Sequence, residues 1–94
     1  MLVMMVCTDK PNHVDLRLKT RSEHLAWIQG AGLPLMYAGP ILADDGETPA
    51  GSLIIAEFES LEAARAFQKT DPYSKAGLFA QVTIQPTRKV LPAA

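Results

Sequence analysis

The stretch PLMYAGPILADDGETPAGSLIIAEFES, Pro34 to Ser60, contains two apolar runs separated by a polar loop, and its reading decides the fold. PLMYAGPILA is interrupted only by Gly39-Pro40, and the following DDGETPAG carries an Asp45-Gly46 pair suited to a tight turn. SLIIAEFES then returns as the second strand of a hairpin. Working outward, Val14 to Gln29 has a helical period that stops at Gly30 and Gly32. On the other side Ser60 is a good N-cap for LEAARAFQKT, with Glu62 in the first turn and Leu61, Ala64 and Phe67 on one side. That helix cannot run far past Thr70, because Pro72 pushes Asp71 out of the helical region. Leu2 to Thr8 reads as a first strand ending at the turn formers DKPN, and FAQVTIQPTRKVL as a last one, Val82 and Ile84 alternating with Thr83 and Gln85. The order strand, helix, strand, strand, helix, strand predicts an α+β fold of the ferredoxin-like split βαβ kind (βαββαβ), an antiparallel sheet with both helices on one face.

At 94 residues the chain suits a single domain, 1–94, with no second one. A formal charge of −1 with both signs scattered argues against nucleic acid as a partner. The apolar run LVMMVC is too short to span a membrane and lacks the flanks of a targeting segment, so no membrane partner is expected. Cys7 is the single cysteine and cannot form a disulfide within the chain, which points to a reducing, cytoplasmic setting.

LVMMVC, LMYAGPIL and SLIIA are apolar at successive positions, the pattern of strands buried on both sides. Two helices cover one face only. The economical cover for the other is a second copy of the sheet, so a homodimer is expected; the bland alternative is that short strands carry surplus surface hydrophobes.

The first helix raises a separate question. Turning 100° per residue places Val14, Leu18, Leu25 and Ile28 on one arc, with Arg21 inside it and His24 at its edge. An arginine facing inward needs a carboxylate or a bound anion, unless it snorkels to the edge of the sheet. Asp71 is a candidate partner, lying four residues after Phe67 and so leaving the second helix toward the sheet. A carboxylate against one imidazole nitrogen would fix the tautomer and make His24 a general base with its orienter. The plainer readings are a boundary histidine and an Asp-Pro that only starts a turn. His13 sits in a turn, and two histidines without matching Cys or acidic spacing make no recognisable metal site. Cys7 reads as a small inert hydrophobe and Ser52 as a hydroxyl near the site, with no nucleophile-elbow context. The dispersed glycines form no phosphate loop.

Arg21 and His24 in RSEHL, AGP at Ala38 to Pro40, Gly51-Ser52, and DPY at Asp71 to Tyr73 with Gly77 four residues on together resemble the YciI-like (YCII-related) family, nearly end to end. The resemblance implies a ferredoxin-like dimeric α+β barrel akin to muconolactone isomerase, with His24 and Asp71 as a catalytic dyad facing a pocket. Arg21 and Ser52 match family positions nearby, and Tyr73 of DPY joins them as a substrate-binding candidate. Some relatives resemble dehydrochlorinases of chlorinated hydroxyquinol-type rings. The expected activity is therefore cofactor-independent proton abstraction, with elimination or isomerisation on a small cyclic hydroxylated or carbonyl compound. The alternative is a non-catalytic dimer that uses the same pocket to bind a small molecule.

Overall fold

A computed structural model describes residues 1–93. Strands β1 (Leu2–Asp9), β2 (Leu35–Leu42), β3 (Pro49–Glu57) and β4 (Phe79–Pro86) form one antiparallel sheet in the order β2-β3-β1-β4. Helix α1 (Val14–Gly30) joins β1 to β2, and α2 (Leu61–Gln68) with the single turn α3 (Pro72–Lys75) joins β3 to β4. This is the ferredoxin-like α+β arrangement. The hairpin forms as the Pro34–Ser60 stretch predicts, and β2 continues through Gly39-Pro40. Its loop is tied by Asp45, whose Oδ1 accepts from the amides of Glu47 and Thr48 at 2.9 Å each. Gly46 supplies the positive φ of 72° that the turn needs.

Alternation along β1 sends Val3, Met5 and Cys7 under the helices, where they are fully buried. Val3 and Met5 meet Ile54 and Ala56 of β3, Ile28 of α1 and Ala64 of α2 in one core. Trp27 stacks on Phe67 with ring centroids 4.3 Å apart and donates from Nε1 to Thr70 Oγ1 at 2.8 Å, tying α1 to the end of α2. Ser60 caps α2 as expected, accepting from the Ala63 amide at 3.0 Å. The opposite face of the sheet carries Met4, Val6, Leu53 and Ile55, each only half-buried, and Tyr37, which is exposed.

Three details differ from the sequence reading. The last strand stops at Pro86 rather than running on through TRKVL. The Asp-Pro step opens α3, a short helix that periodicity over four residues cannot reveal. The third difference is the rotation of α1: Leu18 and Arg21 are exposed, while Arg17 and Thr20 lie inside with Ile28. Polar side chains can take the inner face because each finds a partner there. Thr20 Oγ1 donates to the Leu16 carbonyl at 2.8 Å, and Arg17 meets a carboxylate. Among the described residues no helix is long and apolar enough to cross a membrane.

Candidate functional site

The site begins where the chain leaves α2. Asp71 adopts an extended conformation (φ −57°, ψ 125°), and Pro72 at the first position of α3 fixes the turn that follows. The Asp71 side chain is 1% exposed, and its Oδ1 accepts the Tyr73 amide at 2.9 Å, the N-cap bond of α3. The same oxygen lies 2.9 Å from His24 Nδ1. Asp71 thus starts a turn and also meets the histidine, so the two readings of the Asp-Pro step coexist. A buried carboxylate accepts rather than donates, so Nδ1 is the donor, and in the neutral ring the lone pair lies on Nε2. Among the described residues Nε2 has no protein partner, and the ring lines a cavity.

Tyr73 links the two halves of the site. Its ring is almost fully buried and stacks on His24 at 4.2 Å between centroids, with an 18° interplanar angle. The Arg17 guanidinium carbon also lies 4.3 Å from the Tyr73 ring centroid. Arg17 holds Asp9 in a two-pronged pair, Nε to Oδ2 at 2.6 Å and Nη2 to Oδ1 at 2.9 Å, and Nη2 also donates to Ser52 Oγ at 2.9 Å. Burial disfavours the guanidinium charge, but the Asp9 hydrogen bonds and charge outweigh it, so the Arg17 pKa is raised. Burial likewise raises the Tyr73 phenol, against the pull of Arg17 beside it.

These side chains meet at a cavity of about 210 Å³ between α1 and the β2–β3 hairpin. Arg17, Ser52, His24 and Tyr73 line it, Leu18, Leu25 and Leu42 give it apolar walls, and Arg21 and Glu47 add charge. The structure therefore brings together His24, Asp71, Ser52 and Tyr73 as the sequence suggests. Arg21 reaches the same cavity as an exposed residue, and among the described residues it has no ion pair. The inward arginine is Arg17, one turn earlier, and it and Asp9 were missed. Arg17 stands seven residues before His24, hence on the same helix face, and Asp9 ends the strand that leads into α1. That spacing was the available signal. Among the described residues no three His, Cys, Asp or Glu side chains converge as a metal centre requires.

The YCII-related domain matches residues 1–88. The chain belongs to the YCII-related family. One relative, Protein YciI of Escherichia coli O6:H1, is 42% identical over 98 residues, covering 96% of this chain and 99% of its own. The fold is similar to that of a 5-chloro-2-hydroxyhydroquinone dehydrochlorinase from Burkholderia phenoliruptrix AC1100, solved in complex with 2,5-dihydroxybenzoquinone. That likeness has a TM-score of 0.85 and 29% identity, and covers 94% of each chain. An antibiotic biosynthesis monooxygenase shares the fold alone, with a TM-score of 0.59 and 18% identity over 96% of this chain and 99% of the other.

Cys7 stands apart from the cavity in this YCII-related chain. Its thiol is buried, with Gln68 Nε2 3.9 Å from Sγ, and burial is the main cause that pushes its pKa up to about 12. An unfolded thiol ionises near 9 and the folded one does not, so between about pH 9 and 12 the unfolded chain binds fewer protons and stability falls as pH rises. At neutral pH the effect is absent. Alkylation of Cys7 by iodoacetamide at pH 8.5 should then track global unfolding in denaturant; rapid labelling of the folded protein would mean that the thiol is reachable.

Proposed function

We propose that the chain is a small cofactor-independent enzyme, dehydrochlorinase-like, in which His24 Nε2 removes a proton from a hydroxyl or an acidic C–H of a small cyclic hydroxylated or carbonyl compound. Asp71 orients the imidazole and stabilises the imidazolium that forms, and Arg21 offers its charge to the developing oxyanion from the cavity wall. Tyr73 and Ser52 line the space that the ring of the substrate occupies. The electron pair left on oxygen or carbon would then form a new double bond as the C–Cl bond of the keto tautomer breaks and chloride leaves, His24 keeping the proton, or would take that proton back at another carbon in an isomerisation. The observation that carries this reading is the 2.9 Å contact between His24 Nδ1 and the buried Asp71, with the other imidazole nitrogen free of any partner among the described residues and the ring lining a cavity. The likeness to a dehydrochlorinase over nearly the whole chain supports the reaction class.

The test is turnover of chlorinated hydroxyhydroquinones and of small lactones, followed by chloride release and by absorbance. Loss of chloride at a rate above buffer, or lactone isomerisation, is the expected result. With neither, and with a ring compound that binds and is recovered unchanged after long incubation, the cavity belongs to a small-molecule-binding module instead.

The working form would be a single-domain protomer paired with a second copy, in the cytoplasm. The support is the apolar sheet face opposite the helices, where Met4, Val6, Leu53 and Ile55 are left half-buried, together with a lone thiol that suits a reducing compartment. Light scattering should give twice the chain mass of 10.2 kDa. A monodisperse monomer at micromolar concentration would rule the pairing out.

A further inference from the structure

Arg17 forms a structural ion pair with Asp9, yet its donors are not all used. Nε gives its hydrogen to Asp9, and Nη2 gives one to Asp9 and one to Ser52. The two hydrogens of Nη1 have no acceptor among the described residues, and the guanidinium lies against the Tyr73 ring. Among the described residues no buried side-chain nitrogen or oxygen lacks a hydrogen-bond partner. An Nη1 without an acceptor is therefore not wholly shut away from solvent, and Arg17 lines the cavity. Ser52 is in a similar position: its oxygen accepts from Arg17, and its own hydrogen has no acceptor among the described residues. Both groups are held still, Arg17 by the two-pronged Asp9 pair and Ser52 by its place in β3 opposite Cys7.

We infer that the Arg17 Nη1 edge and the Ser52 hydroxyl form an anion-binding subsite on the floor of the cavity, which takes a ring oxyanion of a hydroxyquinone-type ligand. Because Asp9 already balances the guanidinium, the subsite works through fixed, directed donors rather than through free charge, and so it favours an oxygen at one place on a planar ring. Arg21, more exposed, gives the general positive field at the mouth. The single-ring class follows from the cavity size, below the roughly 300–1,000 Å³ of sites for drug-sized ligands. The inference rests on the cavity being the ligand site of the proposed function, but it does not require that His24 catalyse anything.

Calorimetric titration at pH 7.5 with 2,5-dihydroxybenzoquinone, a dianion under these conditions, and with neutral hydroquinone tests the subsite. Arg17→Met alone strands Asp9, so the informative variant is Arg17→Met/Asp9→Leu, which replaces a buried pair by apolar side chains. It should weaken dianion binding by about ten- to a hundred-fold, and Ser52→Ala by about three- to ten-fold, while hydroquinone affinity moves less than about twofold. Unchanged dianion affinity, or equal loss for both ligands, overturns the subsite. If the double variant fails to fold, Ser52→Ala decides, and an unchanged dianion affinity there overturns it too. His24→Ala separates the two ideas. Dianion binding that depends on Arg17 and Ser52 in a protein without turnover upholds the subsite while the catalytic reading falls; His24-dependent turnover with no Arg17 or Ser52 effect on binding does the reverse.

Discussion

Replacing His24 by alanine lowers kcat/KM on a turned-over substrate by about a hundred- to ten-thousand-fold, the usual contribution of a positioned acid-base group. The expectation follows from a cavity-lining ring that presents one nitrogen to Asp71 at 2.9 Å and has no partner among the described residues for the other. The substitution also removes the ring stacked on Tyr73 and leaves Asp71 Oδ1 with only the Tyr73 amide. A stability loss of about 1–3 kcal/mol should accompany it. Rates are therefore compared per folded protein, with folding checked by circular dichroism. Asp71→Asn is the companion variant: its amide oxygen can still accept the Tyr73 N–H and keep α3 capped, but it no longer offers a charge to the imidazolium. A drop of only a few-fold in the His24 variant, with most of the effect in stability, would make the histidine a packing residue.

Arg17→Met, made alone, destabilises the protein by about 3–5 kcal/mol, because it leaves the Asp9 carboxylate buried without its cation. For a domain of this size that is roughly 12–40 °C in Tm, at about 4–8 °C per kcal/mol. The Asp9 and Arg17 side chains are 6% and 5% exposed, so water cannot take the place of either partner cheaply. Adding Asp9→Leu to the same protein should recover most of the loss, since two apolar side chains have no charge to desolvate. Thermal unfolding of the single and double variants measures both numbers. If the single variant melts within about 4 °C of the parent, the pair contributes as little as an exposed one, and the burial of Arg17 is not what holds α1 in its rotation.

The rotation of α1 marks the boundary of what could be read from the chain. Apolar periodicity places Val14, Leu18, Leu25 and Ile28 inward, but Leu18 is exposed and Arg17 and Thr20 are buried. A hydrophobicity pattern weighs each side chain by its own transfer energy. It has no knowledge of a partner. Arg17 becomes an inward residue only when Asp9, eight residues back, and Ser52, thirty-five residues on, arrive to accept its hydrogens. Leu18 can stay half outside because it forms a wall of the cavity.

The order of elements, the hairpin between the helices and the Ser60 cap were set by local chemistry: turn formers, period changes and a capping hydroxyl act within a few residues of one another. His24 and Asp71 were also visible as candidates, and Gly51-Ser52 and DPY as motifs. Whether Asp71 touches His24 was a question across forty-seven residues, and only the packing of α1 against α3 brings the two atoms to 2.9 Å. Sequence alone singled out His24, Asp71, Ser52 and Tyr73 as candidates, but not Arg17 or Asp9. Tertiary structure decided which of two arginines one turn apart is locked beneath Tyr73 and which stays in solvent, because the free energy of a buried charge depends on the partner that the fold supplies.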